Sequence, residues 1–278
     1  RKVHTPIIGV IENMSSLQIN GKVIGLDLIN TNKYSLDING FDEYYGHCGS
    51  LDMPPYVWVD TGRVTAVPDR EEGVSPKDDH YGWYRKGPIG SDFHIPEVLP
   101  HLFDKSIEYV TNRSKEAREG KPFFLYLPLP APHTPIVPVP PFRDASGINP
   151  YADFVMQVDW TVGQVMKAIR EAGIEKNTLL IFTSDNGSFM HRRGADEKED
   201  HLSDSTIQAY NETHHTANGD LRGTKADVWE AGHRVPFFAS WPGVIKPGSK
   251  CTRTTAHVDL FATCAEIAGA TLPVNAAE

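Results

Sequence analysis

The chain has 278 residues, 40% hydrophobic and 23% charged, a balance that suits a globular protein and excludes general disorder. Acidic residues outnumber basic ones 36 to 27, the formal net charge is −9 and no Lys/Arg block stands out, which argues against a nucleic-acid or anionic-membrane surface. No apolar run approaches the ~20 residues of a membrane span, and the length suits one large domain or two small ones that need no disulfide or metal staple.

Residues 1–38 read as β-rich. A strand is expected over 6–11, and Leu17–Ile19 and Lys22–Ile24 flank Asn20-Gly21 as a hairpin, since both turn residues tolerate the positive φ of a type I′ turn. Residues 51–95 are aromatic and polar with little periodicity, and predict a long surface excursion. Leu99, Phe103, Ile107 and Val110 then fall on one helical stripe, with Pro100 in the first turn and Gly120 as terminator. Residues 123–127 predict a buried strand.

Seven of the fourteen residues from 128 to 141 are proline. Each removes an N–H and fixes φ, so this stretch is a stiff extended loop. Phe154, Val158, Val162, Val165 and Ile169 form a second helical stripe, closed by Gly173. A second buried strand follows over 178–183, and strand, helix and strand together predict a βαβ crossover in a parallel sheet. A third strand is expected over 235–240, where Pro236 allows only an early or edge position. A last helix is expected over 257–268, with Val258, Phe261, Cys264 and Ala268 on one stripe. Arg1-Lys2-Val3-His4-Thr5-Pro6 is not a signal peptide, and the domain reads as unfinished at both ends.

Cys48, Cys251 and Cys264 are too few and too scattered for a disulfide scaffold, and they lack C-x-x-C spacing. They leave the compartment open.

In open α/β sheets, ligands sit outside the carboxyl ends of the strands. One such loop carries Pro132-His133-Thr134-Pro135, where a proline frame fixes one imidazole. The other carries Ser184-Asp185-Asn186-Gly187, which offers a carboxylate and an amide oxygen, both hard ligands for Ca²⁺ or Mg²⁺. Each has a plainer reading, as an ordinary turn or loop residue; their meeting at neighbouring strand ends is what favours chemistry. A third segment, 218–236, holds glycine-spaced Arg222 and Lys225, a candidate oxyanion cradle or else a solvated surface turn. The G-x-x-x-x-G-K-[ST] spacing of a phosphate loop is absent.

These pieces, with Phe41-Asp42-Glu43-Tyr44-Tyr45-Gly46 before them and Trp241-Pro242-Gly243 after, stand in the order found in the sulfatase family. The chain resembles the arylsulfatase-type members of the alkaline-phosphatase superfamily over roughly residues 39–275. The resemblance implies an α/β fold, with a mixed, largely parallel sheet flanked by helices on both faces and truncated at both ends. It sets a partial catalytic domain, 39–278, beside a β-rich segment, 1–38, that lies outside it. It implies a sulfuric ester hydrolase with a divalent cation, Ca²⁺ by family habit and Mg²⁺ as the variant. Asp185 and Asn186 match metal ligands, and His133 matches the histidine at the leaving-group oxygen. Lys225 matches the lysine that neutralises sulfate, and Ser50 loosely matches a sulfate-binding serine.

The family's formylglycine nucleophile arises in a C/S-x-P-x-R segment, and none occurs in these residues. The paired aspartates that supply the other metal ligands are missing too; Asp78-Asp79 reads as a solvated pair, and Asn30-Thr31-Asn32-Lys33-Tyr34 stands where the family has Gly-Lys-Trp-His. The isolated chain is therefore expected to bind the cation weakly and to have no turnover. Two alternatives stay open: a phosphoesterase or phosphonate hydrolase of the same superfamily, and a non-catalytic relative that binds sulfated glycans.

The expected partner is a small-molecule or glycan sulfate ester, with no nucleic acid and no membrane span. The resemblance implies a secreted, periplasmic or lysosomal location, and the oligomeric state stays open. Sequons stand at Asn13, Asn112, Asn186 and Asn211. His191, His201, His214 and His215 lie in a polar stretch without H-E-x-x-H spacing, which reads as an insertion shaping the pocket rim.

Overall fold

The computed structural model describes residues 7–12, 17–19, 22–24, 41–47, 49–190 and 217–272. Expectations for Asn20-Gly21, residues 30–34, Cys48, the sequons at Asn13 and Asn211, and His191, His201, His214 and His215 fall outside the described residues. The first strands in chain order are β1 (Ile7–Glu12), β2 (Leu17–Ile19), β3 (Lys22–Ile24), β4 (Tyr45–His47), β5 (Trp58–Asp60) and β6 (Arg63–Val64). They are followed by β7 (Pro68–Val74), β8 (Tyr84–Gly90), β9 (Phe124–Tyr126), β10 (Leu179–Ser184) and β11 (Phe237–Ser240). The helices are α1 (Val98–Arg118), α2 (Pro150–Glu171), the single turn α3 (Glu230–His233) and α4 (Asp259–Ala268).

The main sheet has the order β11-β10-β1-β9. β1 runs parallel to both β9 and β10, while β11 pairs antiparallel with β10. The crossover β9–α2–β10 therefore steps over β1, and residues 7–12 supply the interior strand. Pro236 sits immediately before β11, which lies at the edge as its missing N–H requires. The hairpin β2–β3 is present, with Leu17 opposite Ile24.

Side chains of β10 alternate between two layers. Leu180 and Phe182 join the core built with Leu99 and Val110 of α1 and Phe154, Val158, Val165 and Ile169 of α2. Leu179 and Ile181 face the opposite side, towards Leu260, Thr263 and Ile267 of α4. Helices thus cover both faces. The stripe expected on α4 is rotated: Val258 is 77% exposed, because the residues nearest the sheet are those three.

α2 starts where Asn149 accepts a hydrogen bond from the Ala152 N–H at 2.8 Å, with Pro150 in its first turn. It ends at Gly173, whose φ of 71° is open to glycine at little cost. α1 buries two adjoining faces, and this changes its expected stripe. Leu99 and Val110 enter the main core, whereas Val98 and Leu102 enter a second one. Phe103 packs instead against Trp160, with ring centroids 5.1 Å apart.

That second core overturns the surface excursion expected over 51–95. Leu51, Tyr56, Trp58, Ile89 and Phe93 are buried there, and Trp58 and Phe93 have centroids 4.7 Å apart. Each such side chain contributes about 1.5–3 kcal/mol. The strands around it are short, and the β7–β8 pair has two register shifts, so no regular period appears in the sequence. Among the described residues, no helix is long and apolar enough to cross a membrane.

Candidate active site

β9 and β10 both run parallel to β1, so their carboxyl ends open on the same edge of the sheet. The chain leaving β9 runs through the proline loop to His133. The chain leaving β10 gives Ser184, Asp185, Asn186, Gly187, Ser188 and Phe189. These loops meet around a cavity of about 60 Å³, open to solvent, whose lining includes His133, Asp185, Asn186 and Lys225. It has room for several waters or one tetrahedral oxyanion.

Lys225 reaches the cavity because its segment is laced to the β10 loop. The Lys225 N–H donates to the Ser188 carbonyl at 3.0 Å, and Gly187 N–H donates to the Gly232 carbonyl at 3.0 Å. Asn218 accepts from Ser188 N–H at 2.9 Å and donates to the Ser188 carbonyl at 2.8 Å. The backbones come so close that a Cβ on Gly187 would lie 1.5 Å from the Ala231 carbonyl oxygen. Close approach, rather than a positive φ, is why glycine follows Asp185-Asn186.

The proline loop is seated from below. Ile136 N–H donates to the Tyr81 carbonyl at 2.8 Å, and Val137 packs against both cores. His133 Nδ1 lies 2.7 Å from the Thr134 carbonyl. A carbonyl only accepts, so Nδ1 carries the proton and Nε2 is the nitrogen left for a ligand. Burial lowers the His133 pKa, and the Lys225 charge lowers it further. Burial raises the Asp185 pKa, while Lys225 and hydrogen bonds from Asn186 oppose the rise.

Ser50 is elsewhere. Its hydroxyl donates to Asp52 Oδ1 at 2.5 Å, and the buried Asp52 carboxylate also pairs with Arg85. The hydroxyl proton goes to Asp52, and Ser50 is not among the cavity-lining residues. Asp78 and Asp79 are both exposed, and Asp79 Oδ1 accepts from Tyr81 and Gly82 N–H at 2.9 and 2.8 Å. Asn112 is exposed on α1, whereas Asn186 lies in the cavity wall.

Two cavity residues escaped sequence reasoning. Tyr151, in the first turn of α2, has its hydroxyl 2.9 Å from Ser188 Oγ. Phe189 stands between Tyr151 and His133, with ring centroids at 5.9 and 6.5 Å. Nothing local marks either one; only the meeting of α2 with the β10 loop does. Among the described residues, no group of three or more His, Cys, Asp or Glu could hold a metal; Asp185 and Asn186 bring a carboxylate and an amide to the cavity, whose lining also includes Tyr151, Ser184 and Ser188.

Comparison with known proteins adds the family. An N-acetylgalactosamine-6-O-sulfatase of Bacteroides thetaiotaomicron is 35% identical over 272 residues, covering 86% of this chain and 50% of that protein. The steryl-sulfatase of Rattus norvegicus is 38% identical over 154 residues, covering 55% of this chain and 24% of its own length. The chain thus spans half of the first relative and about a quarter of the second. A solved structure from work on the metabolism of multiple glycosaminoglycans by Bacteroides thetaiotaomicron matches 99% of this chain and 59% of its own, with a TM-score of 0.70 and 25% identity. The alkaline-phosphatase-like α/β fold expected from the sequence agrees with these neighbours. The Sulfatase family profile matches residues 31–270, and the chain belongs to the sulfatase family.

Proposed function

We propose that the chain carries the sulfate-binding and leaving-group side of a sulfate-ester hydrolase site. The observation that supports this most is the single cavity shared by His133, Asp185, Asn186 and Lys225. The ammonium of Lys225 would neutralise sulfate oxygens as a point charge. His133, its Nδ1 proton held by Thr134, would present Nε2 to the ester oxygen.

Asp185 and Asn186 would hold a divalent cation, Ca²⁺ foremost. The donor chemistry fits: both offer hard oxygens, and the carboxylate is one whose charge burial disfavours, a penalty that a bound cation removes. Two donors are fewer than the roughly six to eight that Ca²⁺ takes, so water, sulfate oxygens or other residues would complete the set. When bound, the cation would add Lewis-acid stabilisation of charge on the transferring group.

His133 is neutral in the free protein at neutral pH, because burial and Lys225 lower its pKa. A sulfate monoester brings negative charge that offsets Lys225, so Nε2 takes up its proton as the ester binds and can pass it to the departing oxygen. These 278 residues hold no C/S-x-P-x-R segment. By themselves they bind the ester and do not cleave it.

Titration calorimetry with sodium sulfate in Ca²⁺ buffer tests this reading. Lys225→Met is expected to weaken sulfate binding by about tenfold, and Asp185→Asn to abolish Ca²⁺ binding. Unchanged affinities in both variants, or release of 4-nitrophenol from its sulfate by this chain, would overturn it.

A further inference from the structure

We propose that His257 is a positioning residue for the cation-binding pair Asp185 and Asn186, acting through the Thr183 hydroxyl; the inference rests on the cation reading above. Thr183 is the next-to-last residue of β10 and is 1% exposed. Side chains alternate along a strand, so it points with Leu179 and Ile181 towards α4. A hydroxyl thus stands where that row would take a third aliphatic group, and a buried hydroxyl needs partners. Two lie close. Thr183 Oγ1 is 2.9 Å from the Pro236 carbonyl oxygen and 3.0 Å from His257 Nε2.

The proton count assigns the directions. A carbonyl only accepts, so the single hydroxyl proton goes to Pro236, and the Nε2–H of His257 donates to Oγ1. His257 is itself fixed at the entry to α4. Its carbonyl accepts from the Leu260 N–H at 3.0 Å, and Asp259 beside it accepts from the Ala256 N–H at 2.8 Å. The bonds from His257 to Thr183 to Pro236 therefore join the entry to α4, the end of β10 and the start of β11.

The cation donors follow directly. On the β11 side the last pair of the ladder is Thr183 with Phe237, and Asp185 comes two residues later. Between them the Ser184 hydroxyl donates to the Asn186 carbonyl at 2.9 Å, closing the turn that presents both donors. The anchored Thr183 sets the direction in which that turn leaves the sheet. Pro236 ends the segment that carries Lys225, so one hydroxyl registers the cation donors against that segment. Residues that orient metal donors from behind commonly tune metal affinity by about 10–100-fold.

The test is calorimetry of this chain with CaCl₂, alongside NMR of the histidine ring nitrogens. His257→Leu and Thr183→Val each remove one end of the bond, and each is expected to weaken Ca²⁺ binding about tenfold. The double variant is expected to be no weaker than either one, since both break the same link. His257→Gln keeps an N–H donor and Thr183→Ser keeps the hydroxyl, so both are expected to stay within about twofold of the parent. Leu260→Ala loosens α4 against the same strand face but spares the bond, and should bind Ca²⁺ as the parent does. The parent spectrum should show a proton on His257 Nε2. A Ca²⁺ loss in Leu260→Ala equal to that in His257→Leu would mark general packing and overturn the proposal. So would parent-like affinity in His257→Leu, failure of both conservative variants, or a bare Nε2. Failure of the cation reading looks different, because the parent chain would then bind Ca²⁺ no better than Asp185→Asn.

Discussion

Lys225 donates its backbone N–H to the carbonyl of Ser188 at 3.0 Å, tying the site's cationic side chain to the loop that carries Asp185. Ser188 is also gripped by Asn218. The positions of charge and counter-charge are thus set by backbone hydrogen bonds, independently of any ligand.

Gly187 is the most sensitive point of that lacing. Gly187→Ala would put a Cβ 1.5 Å from the Ala231 carbonyl oxygen, forcing the two segments apart. A loss of about 3 kcal/mol or more is expected, read as a fall in the urea midpoint. Gly163, exposed within α2 and with nothing within 4 Å of where a Cβ would stand, is the control. Gly163→Ala should raise stability by about 0.5–1 kcal/mol.

Ser50 separates support from binding. Its proton goes to Asp52, so Ser50→Ala should cost about 1 kcal/mol of stability. Sulfate affinity, measured by the same calorimetry, should stay within about twofold.

Acid sensitivity follows in large part from His47 and His133; His101, whose pKa burial and the Lys105 charge also lower, acts in the same direction. Burial against Trp58 and Phe93 lowers His47 to a pKa of about 4, and His133 is lowered by burial and by Lys225. In the unfolded chain both return to about 6.5. Above that pH both states are neutral and nothing changes. Below it the unfolded chain takes up protons that the folded one refuses, so stability falls from about pH 6.5 towards about pH 4. His47 contributes roughly 1–3 kcal/mol of that fall. His47→Phe should remove its share, as seen in urea midpoints at neutral and acidic pH.

Lys225 and His133 are coupled through space. Lys225→Met removes a like charge from beside the imidazole, so the His133 pKa should rise towards its ordinary value. Histidine ring shifts followed by NMR against pH would show this directly. No movement would mean that the two groups do not share the cavity.

Much of the fold was legible because α1 and α2 carry long apolar stripes and are punctuated by Pro100, Gly120 and Gly173. Tyr56, Trp58, Ile89 and Phe93 were not readable as a core. They come from short strands far apart in sequence and converge only when Val98 and Leu102 of α1 close over them. The same holds at the site. Asp185, Asn186, His133 and Lys225 stand in motifs whose order is recognisable, so their meeting could be anticipated. Tyr151 and Phe189 stand in no motif. The fate of the Ser50 proton depends on Asp52, whose buried, Arg85-paired carboxylate has no signature in the sequence.

A crystal structure of this chain soaked with Ca²⁺ and N-acetylgalactosamine 6-sulfate tests the central claim most directly. The account predicts the cation against the side-chain oxygens of Asp185 and Asn186, sulfate oxygens within hydrogen-bond distance of Lys225 Nζ, and the ester oxygen facing His133 Nε2. Sulfate density away from Lys225, or a cation that ignores Asp185, would contradict it.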